Sequence, residues 1–172
     1  MGEVIIRKVK REDIEQVVDI QVTGWQTAYR GIIDDEYLNN MSREEKIKKR
    51  QKDFNENGFI VAEIEDKVIG FCRYSDTNKY EIEKENIDCE LLALYVRYEY
   101  KYMGIGTKLF TFVKDKFKKM NKKKMIIWCL KENESAKKFY TKMGGRIITE
   151  KDIEFGEKKY KEVGFLYELD KI

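Results

Sequence analysis

The segment from Cys89 to Leu130 constrains the fold more than any other part of the chain. It opens with Cys89-Glu90-Leu91-Leu92-Ala93-Leu94-Tyr95-Val96, the most apolar run in the sequence, which reads as a central strand. A short turn follows. Gly104 and Gly106 then open a stretch, Gly104–Met120, with Ile105, Leu109, Phe112, Val113, Phe117 and Met120 on one helical face. Met125–Leu130 is a second buried strand. Two strands joined through a helix need a crossover connection, so part of the sheet must pair in parallel.

The flanking segments add antiparallel hairpins. Val4–Val9 reads as a strand, and Arg11–Tyr29 places Ile14, Val17, Val18, Val22 and Trp25 at helical spacing. Asp34–Met41 is a short helix, and Ser42 with Glu45 forms a capping pattern ahead of a charged, exposed helix over Lys46–Phe54. Phe59–Glu65 and Lys67–Tyr74 read as a hairpin, followed by a polar loop, Thr77–Asn86. Asn133–Met143 is a helix ended by Gly144-Gly145. Arg146–Phe155 and Lys159–Leu169 close the chain as a hairpin around Gly156. The expected architecture is α/β: a mixed, mostly antiparallel sheet with helices on its faces. With 172 residues and no repeat, linker or low-complexity tract, residues 1–172 are expected to form one domain.

Composition removes several chemistries. The chain has no His, which excludes Ser-His and Cys-His nucleophilic pairs and His-based metal sites. Acid–base work falls to Glu, Asp, Tyr, Lys, Cys or water, and no metal is expected. The 35 basic and 32 acidic residues nearly cancel, so the net charge of +3 gives little pull on a polyanion. Lysines 114, 116, 118, 119, 122, 123 and 124 lie along the polar face of one helix and its exit, a solvated face rather than a nucleic-acid surface. No apolar run approaches the length of a membrane span, and the first residues lack a signal-peptide layout, so a cytoplasmic protein is expected. Cys72, Cys89 and Cys129 are odd in number, lack CxxC spacing and read as small core residues.

Two constellations carry chemistry. The first is the junction Tyr98-Glu99-Tyr100-Lys101-Tyr102-Met103-Gly104-Ile105-Gly106-Thr107, where a strand ends and a helix begins. A helix start carries unpaired N–H groups and partial positive charge, which suits phosphate, and residues without a Cβ let a diphosphate approach. Glycines at helix starts also occur for structural reasons alone. The dinucleotide and phosphate-loop glycine patterns are both absent. The second is Asn133-Glu134-Ser135-Ala136-Lys137-Lys138-Phe139-Tyr140, which sets Asn133 and Tyr140 two turns apart on one helical face. A plain N-cap and a core tyrosine would explain the same residues.

Taken in order, Leu-Tyr-Val, a turn, Gly-x-Gly-Thr, a helix, a strand and Asn-x-Ser-Ala-x-x-Phe-Tyr-x-x-Met-Gly-Gly resemble the GNAT superfamily of N-acetyltransferases, over nearly the whole chain. Trp25-Gln26-Thr27-Ala28-Tyr29-Arg30-Gly31-Ile32-Ile33 resembles a segment of bacterial members. The resemblance implies a sheet splayed open between two strands, acetyl-CoA as cosubstrate and an amine acceptor, either a small molecule or a peptide. Lys101, Met103, Gly104, Gly106 and their neighbours Tyr102, Ile105 and Thr107 would hold the CoA diphosphate. Lys101 stands where the family has Gln or Arg, and Tyr102 where it often has Gly.

The resemblance also implies that Leu94, Tyr95 and Val96 bond the pantetheine arm, with an amide near Tyr95 or Val96 polarising the thioester carbonyl. Asn133 would bond pantetheine, Ala136 belongs to the same motif, and Tyr140 would sit near the CoA sulfur as the acid. Trp25, Tyr29 and Arg30 would lie near the acceptor. Homodimers are frequent in the family. Glu90, at the start of an apolar strand and placed by alternation with Leu92, Leu94 and Val96, is the candidate base; a solvent-exposed strand end is its other reading. A non-catalytic acyl-CoA-binding module on the same fold is the alternative function.

Overall fold

A computed structural model describes residues 1–82 and 85–170. The elements follow the order read from the sequence: β1 Ile5–Lys8, α1 Ile14–Ala28, α2 Asp35–Asn39, α3 Arg43–Lys52, β2 Phe59–Ile64, β3 Lys67–Ser75, β4 Cys89–Val96, α4 Ile105–Lys119, β5 Lys124–Leu130, α5 Glu134–Lys142, β6 Arg146–Phe155 and β7 Lys158–Glu168. Residues 83 and 84 of the expected loop Thr77–Asn86 lie outside the described residues.

Local chemistry sets the boundaries. Glu65 and Asp66 both adopt positive φ (47° and 63°), the two-residue turn that matches strand twist, and this closes the β2–β3 hairpin with Ile64 opposite Lys67. The Ser42 hydroxyl accepts the Glu45 N–H at 3.2 Å and starts α3. Gly144, at φ 99°, ends the α5 segment.

The strands form one seven-stranded sheet in the order β1-β2-β3-β4-β5-β7-β6. Every neighbouring pair is antiparallel except β4 and β5, which are joined through α4. On one face α4 buries Leu109, Phe110, Val113 and Phe117 against Leu91, Met125, Ile127 and Phe165. On the other, α1 buries Val17, Val18 and Val22 against Val61 and Phe71. Each such side chain contributes about 2 kcal/mol of burial free energy, so a charge at Val113 would break the α4 contact. The thiols of Cys72, Cys89 and Cys129 are buried, and burial pushes the Cys129 thiol up to about 12, which keeps it protonated.

The parallel pairing of β4 with β5 is short. It joins Cys89 to Met125, Glu90 to Ile126 and Leu91 to Ile127, and then stops. On its other edge β4 stays bonded to β3 as far as Val96, with one irregularity: Arg73 faces Ala93 and Tyr74 faces Leu91, so Leu92 is an extra residue. Such a bulge bends its strand and shifts the alternation of side chains by one. Beyond it β4 leans away from β5, and the sheet opens into a wedge.

The bulge corrects the expected placement of Glu90. Simple alternation puts Glu90 on the face of Leu94 and Val96. In the structure Leu91, Leu94 and Val96 pack on the α4 side, whereas Ala93 and Tyr95 pack with α1. Leu92 itself is 46% exposed. Glu90 therefore shares the α1 face with Ala93 and Tyr95. It is not a solvent-exposed strand end either, being only 6% exposed.

Candidate active site

The wedge and the α4 start form one continuous site. Arg97 anchors the end of β4: its N–H donates to the Ile69 carbonyl at 2.8 Å, its Nε to the Val68 carbonyl at 2.7 Å, and its Nη1 to Asp19 of α1 at 2.7 Å. Strand amides alternate in direction. With the Arg97 amide turned to β3, those of Tyr95 and Ala93 turn the same way, and those of Leu94 and Val96 face the open wedge. The expected donors thus divide. Leu94 and Val96 offer free amides, whereas the Tyr95 amide is spent in the sheet.

Beyond β4 the chain makes a tight turn at Tyr98–Tyr100 and enters α4. Tyr102 and Gly104 adopt left-handed φ, 61° and 82°. Tyr102 thus takes the backbone shape that glycine would adopt without strain, with its side chain 96% exposed. No side chain caps α4, and its first turn holds no acidic residue. Among the described residues, the amides from Tyr102 to Thr107 make no hydrogen bond. A Cβ on Gly104 would meet nothing within 4 Å, so the donors open onto space. Lys101 lies beside this turn with its ammonium 5.7 Å from the Tyr98 ring. An uncapped run of amides beside a lysine, with no acidic residue in the first helical turn, fits a diphosphate.

α5 borders the wedge from the β5 side. The Asn133 side-chain oxygen accepts the Ala136 N–H at 3.2 Å and caps this helix, which leaves the Asn133 Nδ2 group free of partners among the described residues. Gly106, Leu94 and Phe139 meet where α4, β4 and α5 converge. Tyr140 is buried, its ring packed against Phe139 and Phe165, and its carbonyl accepts the Tyr167 hydroxyl at 2.5 Å. Its hydroxyl interacts electrostatically with Tyr29 and Tyr95 of the α1 side. Burial, reinforced by the neighbouring Cys129 thiol, pushes the Tyr140 hydroxyl well above its ordinary value and holds it protonated.

The α1 face of the wedge is aromatic and acidic. The Trp25 indole N–H donates to the Tyr95 hydroxyl at 2.7 Å, and the Trp25 ring meets Tyr29 and Phe155 edge-on, each at 5.0 Å. The Tyr29 hydroxyl also interacts with Tyr95, and burial raises its pKa. Arg30 stands apart: its guanidinium is held at the surface by Asp35 at 3.1 Å and Asn39 at 2.5 Å, where it ties the loop to α2. A cleft of about 680 Å³, lined in part by Asp34, Tyr37, Glu45 and Phe155, runs past this loop.

Glu162 on β7 is the residue that sequence reasoning missed. It stands opposite Leu130 and Lys151, and its charge acts on Tyr95 and Cys129 at the open part of the wedge. Burial raises its carboxyl above the ordinary value, with Lys151 opposing at 3.6 Å. The run Lys159-Tyr160-Lys161-Glu162 resembles any exposed charged strand, so only the β5–β7 register reveals its position. Among the described residues no group of His, Cys, Asp and Glu could hold a metal ion, and no helix is long and apolar enough to cross a membrane.

Comparison with known proteins points the same way. The model of the acetyltransferase (GNAT) family matches residues 22–145. The uncharacterized N-acetyltransferase YuaI of Bacillus subtilis is 27% identical over 161 residues, covering 94% of this chain and 91% of YuaI. The spermidine N(1)-acetyltransferase of Thermoplasma acidophilum is 29% identical over 167 residues, covering 90% and 96%. Among solved structures, the PaiA N-acetyltransferase of Thermoplasma acidophilum in complex with coenzyme A superposes with a TM-score of 0.71 at 22% identity, covering 96% of this chain and 99% of that one. The structure of yncA from Salmonella typhimurium with its cofactor acetyl-CoA gives 0.65 at 16% identity, covering 98% and 95%.

Proposed function

The chain belongs to the acetyltransferase (GNAT) family, and from that premise we propose that it transfers the acetyl group of acetyl-CoA directly to a primary amine of a small molecule or peptide. One observation supports this reading: β4 parts from β5 after Leu91, which leaves the Leu94 and Val96 amides unpaired in the sheet, and the α4 start that follows is uncapped.

Acetyl-CoA supplies a thioester whose carbonyl carbon accepts the amine and whose sulfur departs. The amides from Met103 to Thr107, with Lys101, hold the diphosphate. Asn133 Nδ2, beside Ala136, and the Leu94 and Val96 amides bond the pantetheine arm. One of those two strand amides donates to the carbonyl oxygen as negative charge builds there, a contribution of about 3 kcal/mol for a fixed donor in a dry site. As the C–S bond breaks, Tyr140, kept protonated by burial, donates its proton to the departing sulfur, and the second proton lost by the attacking nitrogen restores the Tyr140 hydroxyl.

The acceptor enters from the α1 face, past Trp25 and Tyr29. Its ammonium must lose a proton before attack. Glu90 pairs in register with Ile126 at the closed end of the wedge, so the role falls to Glu162 acting through water. Calorimetry with acetyl-CoA tests the cosubstrate. Saturable binding is expected, weakened by reversing the charge with Lys101→Glu. No binding at millimolar acetyl-CoA would end the reading.

A further inference from the structure

A second basic site lies on the α1 face, between α3 and the sheet. Arg50 of α3 and Arg73 of β3 both stand over the Phe59 ring, with guanidinium carbons 5.6 Å and 5.7 Å from its centroid. Phe59 is buried in the core cluster of α1, whereas Ile105, at the start of α4, is buried in the cluster on the opposite face. The sheet therefore separates the two arginines from the diphosphate cradle. With Lys46 and Lys49 of α3 they line a cavity of about 370 Å³.

These cations are not neutralised. Arg50 donates to the Gln21 side-chain oxygen at 2.8 Å, a neutral acceptor, and none of the four makes an ion pair among the described residues. By contrast Arg7 has Asp13, and Arg43 and Arg97 share Asp19. Asp53 is the one acid on the cavity wall; it is exposed and ion-paired with none of the four cations. Four cations against one carboxylate leave a local excess of three charges, as large as the net charge of the whole chain. Burial, and after it the Arg73 charge, push Arg50 down to about 10, and burial with Arg50 and Lys49 lowers Lys46. Arg50 stays charged at neutral pH, so the fold carries its desolvation and its repulsion from Arg73. An anion entering the cavity relieves both.

We propose that this cavity binds a small phosphorylated molecule at a site separate from that of acetyl-CoA, with Arg50 and Arg73 gripping the phosphate and Lys46 and Lys49 completing its neutralisation. A phosphate monoester puts about two negative charges on one tetrahedral group and offers three acceptor oxygens. Guanidiniums meet such oxygens in pairs, and being weakly hydrated they shed water readily. The Phe59 ring beneath them holds both forks over the cavity. A single carboxylate leaves most of the excess charge in place, so phosphate is the better match. The site stands on its own charges, whether or not the chain transfers acetyl groups.

The test is calorimetric titration of the full chain with pyrophosphate at fixed ionic strength, with acetate as the monocarboxylate control. Because the α4 start also suits a diphosphate, Lys101→Glu separates the two sites. The parent is expected to bind pyrophosphate saturably and acetate not at all. Arg50→Gln and Arg73→Gln are each expected to raise Kd by about tenfold, the loss of one charge-assisted contact, while Lys101→Glu keeps one equivalent at the parent Kd. Arg73 is exposed, so its variant keeps the test open should Arg50→Gln fold poorly. Without ligand, Arg73→Gln is expected to melt no lower than the parent, because it removes a repulsion. No saturable binding at millimolar pyrophosphate, binding unchanged by Arg73→Gln, or binding lost in Lys101→Glu would overturn the site. Acetate binding as tightly as pyrophosphate would overturn the assignment to phosphate. An Arg73→Gln variant that melts lower, with pyrophosphate affinity unchanged, would make the cluster structural.

Discussion

Gly104 offers the sharpest test of the diphosphate cradle, because Gly31 is its near-twin in backbone geometry. The two residues have φ of 82° and 79°, and at each a Cβ would meet nothing within 4 Å. Alanine at either position therefore adds no clash within the protein, only the left-handed strain of about 1 kcal/mol. In a domain of this size that amounts to a fall of about 2–4 °C in Tm for each variant. Their consequences for acetyl-CoA differ. The space at Gly104 is where the α4 amides point, so a methyl there pushes the diphosphate off its donors. Loss of even one charge-assisted hydrogen bond costs about 1.5 kcal/mol, roughly tenfold in affinity. Calorimetric titration of both variants with acetyl-CoA, beside their melting curves, is the assay. Gly104→Ala should raise Kd at least about tenfold and Gly31→Ala should leave it near the parent value. If both glycines lose the same affinity, or Gly104→Ala binds normally, the diphosphate does not lie on these amides.

Three further outcomes follow from the site. Tyr140→Phe should lower kcat by about a hundredfold with little change in acetyl-CoA affinity, which pre-steady-state thiol release resolves; unchanged kcat would remove Tyr140 from the acid role. Burial raises the Glu162 carboxyl, with Lys151 opposing, and the base must be ionised; kcat/KM should therefore rise with pH through a midpoint above the ordinary carboxylate range. Glu162→Gln should abolish that limb, and its persistence would refute the assignment. Burial also raises the Glu90 carboxyl, with Lys151 and Lys79 opposing and Glu162 adding to the shift. A raised carboxyl pKa means that the folded state loses stability as pH rises above the ordinary value through the raised one. Removing the charge reverses this, so Glu90→Gln should melt higher than the parent at neutral pH, and a lower Tm would show that the carboxylate supports the fold.

The order of elements was legible because each rests on a local signal. Period 3.6 marks α1 and α4, apolar runs mark β4 and β5, and glycine stops α5. The crossover through α4 required parallel pairing, and β4–β5 is the one parallel pair among the described strands. The cradle at Met103–Thr107 and the pair Asn133 and Tyr140 were legible because their residues are contiguous, or two turns apart on one helix.

The α1 face was not legible. A bulge has no sequence signature in an apolar run such as Glu90-Leu91-Leu92-Ala93, and a single extra residue moved Glu90 from one face to the other. Glu162 and Lys151 come from separate segments, and only strand register brings them together. Arg30 belongs to a motif segment, but its guanidinium is engaged by Asp35 and Asn39 of the same local stretch.

The central claim is chemical: a wedge that holds a thioester against an entering amine should turn it over. The most direct measurement follows release of CoA thiol from acetyl-CoA across a panel of mono-, di- and polyamines and amino-terminal peptides, with mass spectrometry of the amine. The account predicts thiol release that requires both acetyl-CoA and an amine, with one acetyl group added to that amine. Saturable acetyl-CoA binding with no thiol release across the panel would contradict it and make the protein an acyl-CoA-binding module.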